Sequence, residues 1–199
     1  MTQSLQVIFA KASPFVRKVC VVAAETKKSL ERIDVFASPL EGRSEVIDLN
    51  PLGKIPALRT LSGEVIYDST VICRYLGDGT TLYPNGDALW RALRREALAD
   101  GLMDAALLVR YETTMRPEPL RWQEWHEGQM EKVMRALSAM AADVTHTSAF
   151  DIGDIATGCA LGYLDFRFPD LDWRSTHPDL ATYAKPLHAR TSFQETIPA

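Results

Sequence analysis

The alternation of apolar and polar positions divides the chain into two differently built parts. Leu5 to Ala10 contains the continuous apolar run Val7-Ile8-Phe9, which predicts a buried strand. Val16, Val19, Cys20 and Ala23 then recur at i, i+3, i+4 and i+7 and predict a helix from Pro14 to about Thr26. Leu30, Ile33, Val35 and Phe36 predict a second strand over 30–36, and 38–49 reads as a loop with one helical turn. Two short apolar runs, Ala57-Leu58 and Val65-Ile66-Tyr67, flank the Gly63 turn and predict a hairpin. Ser69, Ile72, Cys73 and Leu76 return to helical spacing until Gly77-Asp-Gly-Thr-Thr breaks it. Strand, helix, strand, hairpin and helix within 1–78 make a small mixed α/β unit.

After a glycine-containing linker over 79–86 with Pro84, the pattern over 87–199 is helical only. A long helix should run from about Asp87 to Thr113, stopped by Pro117 and Pro119. Trp122, Trp125, His126, Gln129, Met130, Val133, Met134, Leu137 and Ala141 form the stripe of the next, with His126 a core or inter-helix residue. Asp151-Ile152-Gly153-Asp154 opens a further helix with a capping-box-like start. That helix carries Ile155, Cys159, Tyr163 and Phe166, and its small residues (Ala156, Gly158, Ala160, Gly162) let neighbours approach, so it should be central and buried. Pro169 and Pro178 bracket a loop before a last helix over about 179–190.

Composition narrows the possible functions. A formal net charge of -4 offers no basic field for nucleic acid. Met1 to Leu5 carries no positive charge, which argues against a secretory signal, and no apolar stretch approaches ~18 residues, so no membrane span is expected. Cys20, Cys73 and Cys159 are odd in number and far apart, which argues against a disulfide framework and for a reducing cytosol. Cys20 lies on an apolar helix face and reads as core filler. With no HExxH or CxxC spacing, no metal is expected.

Three positions carry candidate chemistry. Ser13-Pro14 is a favoured N-cap followed by a favoured first helical residue. The same geometry can do chemistry: free N–H groups and a partial positive charge at a helix N-terminus stabilise an anion such as a thiolate. Asp68-Ser69 offers the same two readings, a capped helix or an anion site. The third lies in Asn50-Pro51-Leu52-Gly53-Lys54-Ile55-Pro56. Pro56 cannot donate to a sheet ladder and should open its strand, and it pushes Ile55 into an extended conformation with unpaired backbone groups. Such a residue is either part of an ordinary loop and edge strand or a place where a peptide pairs as an added strand.

Asn50-Pro-Leu-Gly-Lys-Ile-Pro followed by Asp68-Ser69 resembles the core of the soluble glutathione transferase family. Ser13-Pro14-Phe15-Val16-Arg17-Lys18 is similar to the catalytic-helix start of its serine-type bacterial members. Ala97-Leu98-Ala99-Asp100-Gly101 to Arg110-Tyr111-Glu112, and Ala160-Leu-Gly-Tyr-Leu-Asp-Phe, extend the likeness into the helical half. The resemblance implies an α/β thioredoxin-like N-terminal domain followed by an all-α helical bundle domain. It implies a transferase with glutathione as co-substrate, no permanently bound cofactor, a homodimer and a cytoplasmic location.

The site follows residue by residue from the same resemblance. Ser13 would hydrogen-bond the glutathione sulfur, with Phe15 and a cis Pro56 in the same site. The Ile55 backbone would pair with the cysteinyl backbone. Ser69 would meet the γ-glutamyl carboxylate and Asp68 the ammonium beside it, although the family more often has glutamate at the latter position. Arg43 and Lys54 would meet the glycyl carboxylate, or serve as solvated surface charges. The electrophile should face the long helix between the domains, with Met103, Ala106, Arg110 and Tyr111 as candidates or as packing residues. The omega class has cysteine where Ser13 stands. Serine cannot form a mixed disulfide, which favours conjugation over disulfide reduction. A catalytically weak binding or regulatory protein of the same fold is the alternative.

Overall fold

The computed structural model describes residues 4–36, 38, 40, 44–144 and 149–199. Two compact units divide the chain, Met1–Tyr83 with Thr191–Ala199 and Pro84–Arg190. The first unit holds β1 (Leu5–Phe9), α1 (Pro14–Glu25), β2 (Leu30–Asp34), α2 (Ser44–Ile47), β3 (Leu58–Arg59), β4 (Val65–Ile66) and α3 (Ser69–Gly77). Its sheet has the order β2-β1-β3-β4. β1 is interior because Val7 and Ile8 are buried on both of its faces. β2 runs parallel to it after the α1 crossover, and β3 and β4 form the antiparallel hairpin. Thr60 closes that hairpin: its Oγ1 donates to the Glu64 carbonyl at 3.1 Å, and Gly63 sits at φ +86, a conformation glycine adopts without steric cost. The elements are shorter than the apolar runs suggest. Val35 and Phe36 fall outside β2, Phe36 is exposed, and Ala57 precedes β3 although it is fully buried.

α1 turns Val16, Val19, Cys20 and Ala23 inward as its spacing predicts and packs beside α3, where Ile72, Cys73 and Leu76 are buried. Burial pushes the Cys20 thiol up, against a smaller pull downward from Arg32. That suits a core filler rather than a reactive thiolate.

The last residues depart from the sequence reading. The helical pattern assigns 191–199 to the second half, but α9 (Thr191–Gln194) folds against α1 in the first unit. The cause is specific: Phe193 is fully buried, its carbonyl accepts from Arg17 Nη2 at 3.2 Å, and Ser192 Oγ donates to Glu25 at 2.5 Å.

The second unit contains α4 (Asp87–Thr114), a 3-10 turn over Glu118–Leu120, α5 (Gln123–Asp143), α6 (Ile152–Arg167), α7 (Trp173–Thr176) and α8 (Pro178–His188). As expected, α6 is central, with every residue from Ile152 to Leu161 buried. α4 comes close enough that a Cβ on Gly153 would stand 2.7 Å from Arg95 Cβ, so only glycine fits there. The capping box is complete: Asp151 accepts from Gly153 N at 2.8 Å, and Asp154 Oδ2 accepts from Asp151 N at 2.8 Å. Arg95 reaches this box from α4. It contacts Asp151 at 3.2 Å and Asp154 more closely, and it lies 2.6 Å from the Tyr183 hydroxyl.

Two helical readings need correction. The α5 stripe does not begin at Trp122 and Trp125, which are 62% and 38% exposed. Trp122 is the N-cap, and the buried face is Gln129, Val133, Ala136, Leu137 and Met140, which begins about two turns later. The Pro169–Pro178 loop contains α7, capped by Asp172 on Ser175 N at 3.2 Å and fixed by Trp173 Nε1 donating to Asp165 at 2.9 Å.

The corner between α4 and α5 turns on Glu112, which accepts the Trp122 N–H and the Arg116 Nε–H, each at 2.8 Å. These bonds, the Trp122 amide first, hold its carboxyl below the usual carboxylate range. A depressed folded-state pKa stabilises the fold above the unfolded value of ~4.3, and that stability is lost as pH falls through the lower folded value. Glu112→Gln should therefore melt below the parent at pH 7, and the gap should be smaller at pH 3. Parallel melting curves at the two pH values check this.

Among the described residues no helix is long and apolar enough to cross a membrane, and no group of three metal-ligating side chains gathers.

Candidate active site

Ser13 stands between β1 and α1 in extended backbone geometry, φ -81 and ψ 122. Its Oγ accepts from Val16 N at 3.3 Å, which caps the helix. A hydroxyl that accepts one bond still has its own proton to donate. No acidic side chain lies in the first turn of α1, so the helix N-terminus keeps its partial positive charge. Phe15, the second residue of α1, is half-buried.

The loop over 50–56 is tied from within. Asn50 is 1% exposed; its Nδ2 donates to the Lys54 carbonyl at 2.8 Å and its Oδ1 accepts from Leu52 N at 3.1 Å. Gly53 supplies the left-handed position at φ +63. The Ile55–Pro56 bond is cis and Pro56 is buried. The Ile55 side chain packs against the cluster of Ile8, Val46 and Ala57. Among the described residues, nothing hydrogen-bonds its N–H or C=O. Asn50 reads in the sequence only as turn punctuation. Its role as a two-ended clamp shows once its burial is known.

α3 begins with Asp68 as N-cap, Oδ1 accepting from Thr70 N at 3.0 Å, and Ser69 as the first helical residue, 4% exposed. The strand registers bring these positions together. Val7 opposes Leu58, and Leu58 opposes Ile66. The end of β1, the start of β3 and the end of β4 therefore lie at one edge of the sheet. Ser13 follows the first of these, Ile55 precedes the second and Ser69 follows the third. Lys54 is exposed on the same loop, and Asp68 is exposed at the cap. Arg43 lies outside the described residues. On α4 of the second unit, Met103 and Ala106 have no exposed surface, and Arg110 and Tyr111 are half-buried.

A hairpin that enters a mixed sheet through a cis-proline, beside two helix N-termini, is the thioredoxin-like class of domain. Followed by a helical unit, it has the architecture of the glutathione transferases. The chain belongs to the glutathione S-transferase family: residues 12–78 match the family's N-terminal domain and residues 123–185 its C-terminal domain. It is 44% identical to a glutathione transferase family member from Pseudomonas fluorescens Pf-5, solved with bound glutathione, with a TM-score of 0.93 covering 98% of this chain and 100% of that one. A glutathione S-transferase from Methylobacillus flagellatus KT with glutathione bound is 39% identical, with a TM-score of 0.90 and coverages of 98% and 100%. An uncharacterized GST-like protein, YibF of Escherichia coli, is 32% identical over 202 residues, covering 98% of each chain.

Proposed function

We propose that this protein activates glutathione as a thiolate and transfers it to a small electrophilic carbon. The observation that carries the reading is the Ile55 backbone, which makes no hydrogen bond among the described residues, on the sheet edge where α1 and α3 begin beside Ser13 and Ser69. Glutathione is an extended peptide with an anion at each end and a thiol in the middle. Its cysteinyl N–H and C=O pair with Ile55 as an added strand would. The γ-glutamyl carboxylate takes the N-terminus of α3 with the Ser69 hydroxyl, and Asp68 offsets the neighbouring ammonium. Lys54, with Arg43, offsets the glycyl carboxylate, and Phe15 and Pro56 complete the walls.

Ser13 then donates a hydrogen bond to the sulfur and keeps its proton. The thiol proton leaves to water, and the thiolate attacks the electrophile, expelling a halide or adding across an activated double bond. Serine at this position activates without forming a mixed disulfide, so conjugation and not disulfide exchange is the chemistry. Glutathione in the relatives' structures supports the reading, as does S-(propanoic acid)-glutathione, a thioether, bound to the Pseudomonas fluorescens protein in a second structure. The protein acts as a cytoplasmic homodimer without a permanent cofactor.

Calorimetric titration with glutathione, paired with an aryl-halide conjugation assay, tests the site. Ser69→Ala should weaken glutathione binding about tenfold or more, the loss of a hydrogen bond to a charged group. Absence of binding heat and of conjugation in the parent protein at millimolar glutathione would refute the transferase assignment.

A further inference from the structure

We infer that a cavity within the sheet-bearing unit takes the carboxylate of a small apolar acid, at a site separate from the one proposed for glutathione. The cavity is bounded by the end of β1, the middle of β2, the inward face of α1 and the residues after α9, all in one compact unit. Its volume of about 30 Å³ holds about two or three groups the size of water. None of the residues proposed to hold glutathione lines it.

The charge around the cavity is unbalanced. Lys11, Arg17 and Arg32 line it against a single carboxylate, Glu195. Among the described residues none of the three cations has a carboxylate within ion-pair distance. Arg17 matters most, because it is 7% exposed. A guanidinium has five N–H donors. Here Nη2 donates to the Phe193 carbonyl at 3.2 Å, and the group lies 5.6 Å from the centre of the Phe193 ring. Nε is buried and has no hydrogen-bond partner. A buried charge held by one carbonyl and one ring face is short of an anion. Arg32 stands 4.9 Å from the centre of the Phe9 ring, which keeps its guanidinium over the same wall. Cys20 lines the cavity too, but burial keeps its thiol protonated against a smaller pull from Arg32. No thiolate therefore supplies the missing charge.

The rest of the wall is apolar, with Phe9, Val16 and Ile197. A short carboxylic acid matches both halves. Its two oxygens suit the guanidinium fork, and its alkyl end lies against the apolar side chains. A bare phosphate matches only the cations. If Arg17 served only to clamp Phe193, an added acid would not change stability.

The test follows the melting temperature as sodium propanoate replaces sodium chloride at constant ionic strength. The parent should be stabilised, half-maximally at about 1–10 mM propanoate. Propanamide, of the same size but uncharged, should not stabilise, and phosphate should do so less than propanoate. Arg32→Gln should raise the half-maximal concentration about tenfold, and Glu195→Gln should lower it. Both residues are exposed, so these variants fold even if Arg17→Gln does not. Ser69→Ala should keep the full response, which separates this cavity from the start of α3. No response in the parent, an equal response to propanamide or an unchanged one in Arg32→Gln would overturn the inference. So would a weaker response in Glu195→Gln, a stronger one to phosphate, or loss of the propanoate response in Ser69→Ala. None of these readouts involves conjugation, so the result is independent of the transferase reading.

Discussion

Ser13→Ala should cut the conjugation rate at neutral pH about ten- to one-hundredfold and raise the kinetic pKa of bound glutathione by about one to two units. The size follows from what the hydroxyl does. A hydrogen bond to a charged group contributes roughly 1.5–3 kcal/mol, and one pKa unit corresponds to about 1.36 kcal/mol. A free thiol titrates near 8.5, so a shift of this size changes a mostly ionised sulfur at pH 7 into a mostly protonated one. The N-terminus of α1 still favours the anion in the variant, because its charge does not depend on the side chain. Some rate therefore remains, and more of it returns as pH is raised. Glutathione binding falls less than turnover, since Ile55 and Ser69 are untouched. The capping bond to Val16 is lost too, at a cost of ~1 kcal/mol in stability. A pH–rate profile in parent and variant separates these effects; overlapping profiles would remove Ser13 from the chemistry.

Arg95→Met should be the most damaging single change to the second unit, costing about 3–5 kcal/mol. Arg95 and Asp154 are 9% and 2% exposed, and Asp151 shares the same guanidinium. Methionine fills much of the arginine's volume but leaves two carboxylates at one buried helix start without a cation. Burial already raises the Asp151 pKa in spite of Arg95, so removing the cation drives that group further toward its protonated form. The deficit should be greatest at neutral pH and shrink on acidification, when the carboxylates become neutral. Tyr183→Phe removes only the hydroxyl that bridges Arg95 and Asp154, and should cost nearer 1 kcal/mol. Urea unfolding at pH 7 ranks the two variants. An Arg95→Met loss below 1 kcal/mol would mean that desolvation of the ions cancels their attraction.

The sequence was most legible where one residue type answers one local need. Ser13 with Pro14, Asp68 with Ser69, and Asp151 with Asp154 mark helix starts, and α1, α3 and α6 begin there. Pro56 marks the entry to the hairpin for an equally local reason, its missing N–H. What stayed hidden depends on partners distant in the chain. The two acids of the capping box ask for a cation, but nothing in their spacing names Arg95, 56 positions before Asp151. The α5 stripe misled because tryptophans at its first turn fit the period while standing beyond the surface that covers the rest. α7 and α9, four residues each, are too short to show a period at all.

The return of Thr191–Gln194 to α1 makes the sheet-bearing unit discontinuous along the gene, whereas the helical unit is a single uninterrupted stretch. During synthesis the helical unit can close as soon as Arg190 emerges. The earlier-made half waits until Phe193 has been made before that ring can cover Arg17. A stop before Thr191 would therefore harm the part of the protein that was translated first.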